Sequence, residues 1–568
     1  MKVKPFSLIL ATMLALSACS PDHTPSRAEL SDKVSQDGEM KGEDLAFGKY
    51  KVPITLRIGF SIPNEAGRLA QGDNYDDNPW SRYFQSKTGI QVVHSWQVRN
   101  EGDAYRYKLD VSIAENDLPD AMVVDRQQLR ALVDRDMLAD MTEVFPKYAS
   151  PLVKAMYDSS QGLATRDATF GGRLMALPNI AVEADSPSLV WVRQDWLDKL
   201  KLPAPTTLND IAAIAKAFIE QDPDGNGKSD TVGIPVDKVI VWGARPNMNG
   251  LDSVFGAYRS FPKNWLKDRK GNIYYGSVAP ETKQALGMLA GWYKAGIIDP
   301  EFALHQDPNE PIADNKVGIF FGPWYAPSGP LRESVKKDMA AEWKAFAAPL
   351  DNSGKFVTHM APITDRYLVV RKGYPNPEAV VRLLNQFTQY ERVDSYIANY
   401  GSDMDPALQA LKTYKEANHV QPRHYYPFDL LLDYTDSVQR SYKAVLEVME
   451  GRNQLDKLAP QYQSSYKNMI IDREHPKKNL DAWVNAHARA YGAKVIVDTP
   501  MDKVYSEFYG LTTTMETKWT ALEKLEKETF LRIIIGSAPL DSFDSFVQQW
   551  NQLGGETITK EIQKSVDR

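Results

Sequence analysis

Apolar and polar positions along this chain change period in a regular order. Ile54-Thr55-Leu56-Arg57-Ile58-Gly59-Phe60 alternates as a half-buried strand does. Trp80 to Lys87 reads as a helix, Gly89 as a break and Ile90-Gln91-Val92-Val93 as the next strand. Tyr105 to Ala114 reads as a second helix, and Leu118-Pro119-Asp120 turns into the apolar run Ala121-Met122-Val123-Val124. Strand, helix, strand, helix, strand at this spacing predicts βαβ units and a parallel sheet. A second α/β region opens near Leu189 with a strand at Val190-Trp191-Val192. Thr207-Leu208-Asn209-Asp210 has the form of a capping box, and Ile211, Ile214, Ala215 and Phe218 make one apolar helix face behind it. Thr231-Val232-Gly233-Ile234 and Lys316-Val317-Gly318-Ile319-Phe320-Phe321 read as further strands, the latter ending at Gly322-Pro323-Trp324. Beyond about residue 380 the period is mostly helical. The last helix is expected to open near Pro539, to bury Phe543, Phe546, Val547, Trp550 and Leu553, and to stop at Gly554-Gly555.

The N-terminus has a different pattern. A basic start (Lys2, Lys4), an apolar stretch from Phe6 to Leu16 and the small residues Ser17 and Ala18 precede Cys19, the single cysteine of 568 residues. This is the layout of a secretory signal over 1–18, and Leu16-Ser17-Ala18-Cys19 looks like a bacterial lipobox, in which the thiol takes the lipid (palmitate among its acyl chains) and becomes the new N-terminus. The bland alternative is an ordinary cysteine near a cleaved signal. Residues 19–50 then read as a polar tether too poor in apolar positions to bury a core. These features predict a protein lipid-anchored to the cell membrane with its fold outside the cytoplasm. No later segment is long and apolar enough to span a membrane.

Composition narrows the function. When Lys2 and Lys4 leave with the signal, 67 basic residues fall to 65 against 74 acidic ones, a net charge of −9. That argues against nucleic acid as a partner, because phosphate binding leans on basic surface. With Cys19 lipidated, no thiol remains for disulfides, zinc or nucleophilic catalysis. No G-x-S-x-G or H-E-x-x-H is present, and the 8 histidines are unclustered. Carboxylate pairs for glycoside hydrolysis cannot be singled out from 74 acidic residues. The reading is therefore a non-enzyme, with a surface glycan hydrolase or lyase as the alternative.

One stretch carries specific chemistry. Asp222, Asp224, Asn226 and Asp230 place side-chain oxygens at positions 1, 3, 5 and 9 of a loop with Gly227 at position 6, and the Lys228 carbonyl stands at position 7. Alternating oxygens around a glycine turn suit Ca2+. The bidentate glutamate of an EF-hand is missing, since position 12 is Gly233. The competing readings are a metal-free Asp/Asn/Gly turn and a phosphate loop around Gly227-Lys228-Ser229. The latter fails because its first glycine would be Asp222. A calcium here is expected to be structural.

Aromatics beside polar residues at strand ends are the candidate ligand contacts: Trp80, Trp191 with Arg193, Trp242 with Arg245, and Trp324 with Tyr325. For each the alternative is plain core, and Arg193 has Asp195 as a ready partner.

In this setting the chain resembles the large extracellular solute-binding lipoproteins of carbohydrate ABC transporters, including the LipO type and the alginate-oligosaccharide-binding proteins. The resemblance is carried by Leu16-Ser17-Ala18-Cys19, Asn78-Pro79-Trp80 with Lys87-Thr88-Gly89-Ile90, Leu118-Pro119-Asp120 and Val192-Arg193-Gln194-Asp195-Trp196-Leu197. The Asp222–Asp230 loop, Ala295-Gly296-Ile297-Ile298-Asp299-Pro300 and Gln549-Trp550-Asn551-Gln552-Leu553-Gly554-Gly555 carry it further. It implies an α/β fold of two lobes around a cleft, an oligosaccharide ligand, a calcium site at the loop, delivery to permease subunits, and a monomer. The first lobe is expected over 51–185, completed by roughly 360–430, and the second over 186–359, completed by roughly 430–568. Within the loop the chain departs from the alginate-binding relatives at Thr231, where they have Glu. Gly318 to Trp324 follows a Gly-x-x-x-x-Gly-Pro-Trp stretch of the family, which favours Trp324 as a ligand contact. Peptides or other solutes in the same fold are a further alternative.

Overall fold

The computed structural model describes residues 43–62, 72–99, 103–243, 245–397, 406–418, 420–430 and 432–566. The signal segment, Cys19 and most of the expected tether lie outside them. Among the described residues no helix is long and apolar enough to cross a membrane.

The first lobe is built on a five-stranded sheet with spatial order Ile90–Arg99, Ile54–Ile62, Ala121–Val124, Tyr367–Val370, Leu177–Pro178. The first three strands are parallel, as their βαβ spacing predicts. The last two run antiparallel, and one of them returns from far along the chain. The helix Pro79–Thr88 shows how local sequence sets an element here. The Asn78 side chain accepts from the backbone N–H groups of Trp80 and Ser81, Ser81 reciprocates, and Pro79 sits in the first turn. Gly89 ends the helix in the left-handed conformation that glycine tolerates best. The body begins earlier than the sequence suggested. Glu43–Phe47 is helical, and Ala46 and Tyr50 are buried, so the tether cannot run to residue 50.

The second lobe centres on a three-stranded sheet, Ile319–Gly322, Leu189–Arg193, Trp343–Phe346, antiparallel throughout. The Thr207 capping box forms as predicted, and Ile211, Ile214, Ala215 and Phe218 are all buried. Two expectations fail in this lobe. Thr231–Ile234 is not a strand; Ile234 alone makes an isolated bridge, to Ile298. The C-terminal helix does not stop at Gly554-Gly555. Gly554 takes φ 134°, the chain bends, and a further helix Glu556–Val566 buries Ile558 and Ile562. Leu553 sits on the outside of that bend, 46% exposed, while Phe543, Phe546 and Trp550 are buried as expected.

Candidate functional site

Three segments pass between the lobes, and they are bonded to one another. Asn179 N–H donates to the Arg366 carbonyl (2.9 Å) and Ala181 N–H to the Ile363 carbonyl (2.8 Å), which ties the first crossing to the second. Glu183 N–H donates to the Thr435 carbonyl (2.9 Å), which ties the first to the third. Asn179 is the hub. Its side-chain oxygen accepts from the Thr364 hydroxyl and from the Asp365 and Arg366 N–H groups, and its amide donates to Asp365 at 2.7 Å. A hub whose side-chain oxygen and nitrogen are both engaged holds the floor of the cleft in one arrangement.

Above this floor lies a cleft of about 800 Å3, within the range usual for ligand sites. The first lobe contributes Phe60, Ser61 and Tyr426; the second contributes Arg245, Pro246 and Tyr325. Its charges are largely internally matched. Arg245 pairs with Asp365 at 2.9 Å, and Arg366 pairs with Asp429. Asp185 accepts from the Trp324 indole N–H at 2.9 Å. Burial raises the Asp185 carboxyl above its ordinary range, and the Trp324 bond and Arg245 oppose that rise. A second compartment of about 310 Å3 adjoins the first; Val182, Asp185 and Asp433 line both. Trp324, Gln461, Tyr462 and Arg489 line it as well. Trp324 and Tyr325 stand edge to face, ring centres 5.8 Å apart, one ring for each compartment.

Three of the residues expected to touch ligand are core instead. Trp80 is fully buried in the first lobe, stacked on Tyr425 at 5.2 Å. Trp191 lies in the middle of its strand, fully buried, with its N–H on the Pro323 carbonyl. Arg193 is buried, held by both oxygens of Asp195, by Asn315 and by Asp338. It packs over Trp196 at 4.5 Å. The strand Leu189–Arg193 has core on both faces, Val190 and Val192 on one and Leu189 and Trp191 on the other, so its side chains are buried along its whole length and the end-of-strand argument does not reach them. Trp242 does not line either compartment. Its backbone N–H donates to buried Asp252, and its ring lies where a side chain on Gly250 would stand. Arg245 and Tyr325 do face the main compartment, and Trp324 faces the second. Asp185, Asp365, Arg366, Tyr426, Asp433 and Arg489 escaped the sequence reading. The first five sit in or beside the crossings and carry no periodic signal of their own.

The Asp222 loop is folded on its own oxygens. Asp222 accepts from the N–H groups of Gly225, Asn226 and Gly227. The Asn226 amide lies between Asp224 (2.7 Å) and Asp230 (3.0 Å) and so brings those carboxylates together. The Asp224 carboxyl is raised by burial and then by Asp222 beside it, the situation a cation would relieve. Among the described residues no three His, Cys, Asp or Glu side chains form a metal cage by themselves. A donor set here needs the Asn226 amide oxygen, and its amide is seen with nitrogen, not oxygen, toward Asp224 and Asp230.

A two-lobed fold with a cleft over three bonded crossings defines a class of binding proteins that open and close on solutes. The profile of the family described as bacterial extracellular solute-binding protein matches residues 67–391, and the chain belongs to that family. Lipoprotein LipO of Bacillus subtilis (strain 168) is 22% identical over 497 residues, covering 86% of this chain and 89% of LipO. The fructooligosaccharide ABC transporter substrate-binding protein FusA of Streptococcus pneumoniae serotype 4 is 24% identical over 338 residues, 56% of this chain and 58% of FusA. The crystal structure of alginate-binding protein AlgQ2 without calcium ion aligns with a TM-score of 0.52 at 16% identity, over 91% of this chain and 99% of that one. Membership of this family makes the chain a bacterial extracellular solute-binding protein.

Proposed function

We propose that this chain captures an oligosaccharide in the interlobe cleft and hands it to the permease subunits of an ABC transporter. The observation that carries the reading is the cleft itself: about 800 Å3, walled by both lobes and floored by their crossings. Closure over a sugar would exclude water, set Tyr325 against the C–H face of a ring, and offer the paired charges to hydroxyls. A permease then has two states to tell apart, because ligand shifts the open–closed balance. The protein acts as a monomer held to the membrane by lipid on Cys19, outside the cytoplasm.

Calcium is part of the proposal. Asp222, Asp224, Asn226 and Asp230, with the Lys228 carbonyl, would hold a Ca2+ at the end of the Leu208–Glu220 helix and clip it to the chain that follows. When bound, the ion supplies charge compensation for three carboxylates and no chemistry at the cleft. Asp222→Ala is expected to abolish most of the calcium-dependent part of the melting temperature. Equal melting temperatures of the wild type with calcium and with chelator would remove the ion from this account.

The deciding experiment is a thermal-shift screen of the protein in calcium against neutral and uronic oligosaccharides, with product analysis of each mixture. A rise of several degrees with one class and no shortened product is expected. Products would favour the hydrolase or lyase alternative, and silence across the panel would favour peptides or other solutes.

A further inference from the structure

Among the described residues, the second compartment contains the one lining arginine that is both largely enclosed and without a carboxylate partner. The guanidinium of Arg489 makes a single hydrogen bond among the described residues, from Nη1 to the Asn485 carbonyl at 3.3 Å. Its Nε is buried with no partner. Burial alone pulls its pKa down, to about 10. An uncompensated charge in an enclosed site is costly unless something else supplies the counter-charge.

Arg489 is not isolated in this respect. The Ser441 hydroxyl, which lines the same compartment, and the Asn485 side-chain oxygen, one turn before Arg489, are also buried without partners. Buried polar atoms are normally paired, so the two borne by residues that line this compartment, the Arg489 Nε and the Ser441 hydroxyl, point to a missing occupant. The backbone is specialised at the same point. Residues Ala488–Ala493 form a π-turn between two α-helical segments, a feature that often marks functional sites. That turn brings Gly492 against the backbone of Trp324, so one element sets both the cation and the aromatic wall. The main compartment offers no equivalent. Arg245 and Arg366 are each closed on an aspartate, and Arg423 stands exposed on its rim.

Building on the oligosaccharide reading, we infer that this second compartment receives the terminal unit of the ligand and that this unit is an acidic sugar. Its ring lies against Trp324 and its carboxylate pairs with Arg489. Arg489 is then the residue that selects uronate-ended over neutral oligosaccharides, and the Ser441 oxygen takes a ring hydroxyl.

The test is calorimetric titration of the full chain with uronic-acid-terminated oligosaccharides, trigalacturonate among them, and with the same compounds reduced at the carboxyl to neutral sugars. The acidic form of the best ligand is expected to bind about tenfold tighter or more. Arg489→Met should bring the two forms to near equality, while Arg423→Met keeps the preference. Without ligand, Arg489→Met should melt at the wild-type temperature or above it, since it removes an unpaired charge. Equal binding of acidic and reduced forms by the wild type, retained preference in Arg489→Met, or a fall of several degrees in that variant's melting temperature would each overturn the inference. Tight binding of neutral sugars alone would overturn this inference and leave the oligosaccharide reading standing. Absence of binding by both kinds would overturn both.

Discussion

The second lobe contains two arginines beside tryptophans, and their surroundings could hardly differ more. Arg193 lies in the core between Trp196 and Trp343, with both oxygens of Asp195, Asn315 and Asp338 around its guanidinium. Arg489 lines a compartment with Trp324, holds one carbonyl and, among the described residues, meets no carboxylate within ion-pair distance. The residue types are the same; the degree of satisfaction is not. A fully bonded buried ion is an internal fastener, and its partners have used up everything it could offer a ligand. A partly bonded one retains capacity. Satisfaction, more than residue type or nearness to a strand end, separates the two roles.

The sharpest way to break this contrast is to remove Arg193. Arg193→Met should leave Asp195 and Asp338 beside a buried apolar side chain and cost about 3–5 kcal/mol in denaturant unfolding. A cost under about 1 kcal/mol would mean that the network is dispensable and that satisfaction is a poor guide to role. A third buried ion shows another way of meeting the same cost. Glu526 is fully enclosed beneath the C-terminal helices, beside the Tyr275 hydroxyl at 3.1 Å, and burial raises its carboxyl to about 7. A raised carboxyl binds its proton more tightly when folded, so its contribution is fully present below the unfolded value near 4.5. It is lost as pH rises through about 7. Glu526→Gln should therefore gain about 2–3 kcal/mol over wild type at pH 8, with no gain near pH 4.5. Parallel stability–pH curves for the two proteins would show that Glu526 does not titrate in this window.

These contrasts also explain what could be read from the chain before folding. Strand Ile54–Ile62, the Asn78 and Thr207 caps and the buried face of Leu208–Glu220 follow from neighbours a few residues apart, and periodicity reports them well. The cleft does not. Asn179, Asp365 and Asp433 meet only because three crossings lie side by side, and Arg489 reaches Trp324 across more than a hundred residues. Trp80, Trp191 and Arg193 were plausible ligand contacts for the same reason in reverse. Nothing within a few residues of them reveals that Tyr425, Ile319–Gly322 or Asp338 will close over them. The bend at Gly554 was hidden too, because a glycine pair signals a stop equally well whether or not a helix resumes behind it.

Smaller in effect, and aimed at the compartment itself, is Gly492→Ala. A Cβ there would stand 2.1 Å from the Trp324 carbonyl oxygen, closer than any real contact, and the obstacle is backbone on both sides. Either Trp324 or the π-turn must shift, at about 1–3 kcal/mol. The expected signature is a modest loss of stability with a changed Trp324 fluorescence and weakened ligand binding. Unchanged stability and binding would mean that the turn does not set the aromatic wall.

The smallest effect should come from Arg245, whose ion pair looks on paper like those of Arg193. It joins the second lobe to a crossing through Asp365 at 2.9 Å, but Arg245 is 55% exposed and Asp365 39%. Exposed pairs of this kind contribute about 0–1 kcal/mol because water and salt screen them and both side chains lose freedom. Asp365 also keeps its bond from the Asn179 amide when the arginine is gone, so no buried charge is stranded. Arg245→Ala should thus melt within a degree or two of wild type, and the small difference should vanish in high salt. A loss approaching that of Arg193→Met would mean that this pair latches the lobes together. The contrast between satisfied core ions and cleft ions would then need redrawing around the hinge.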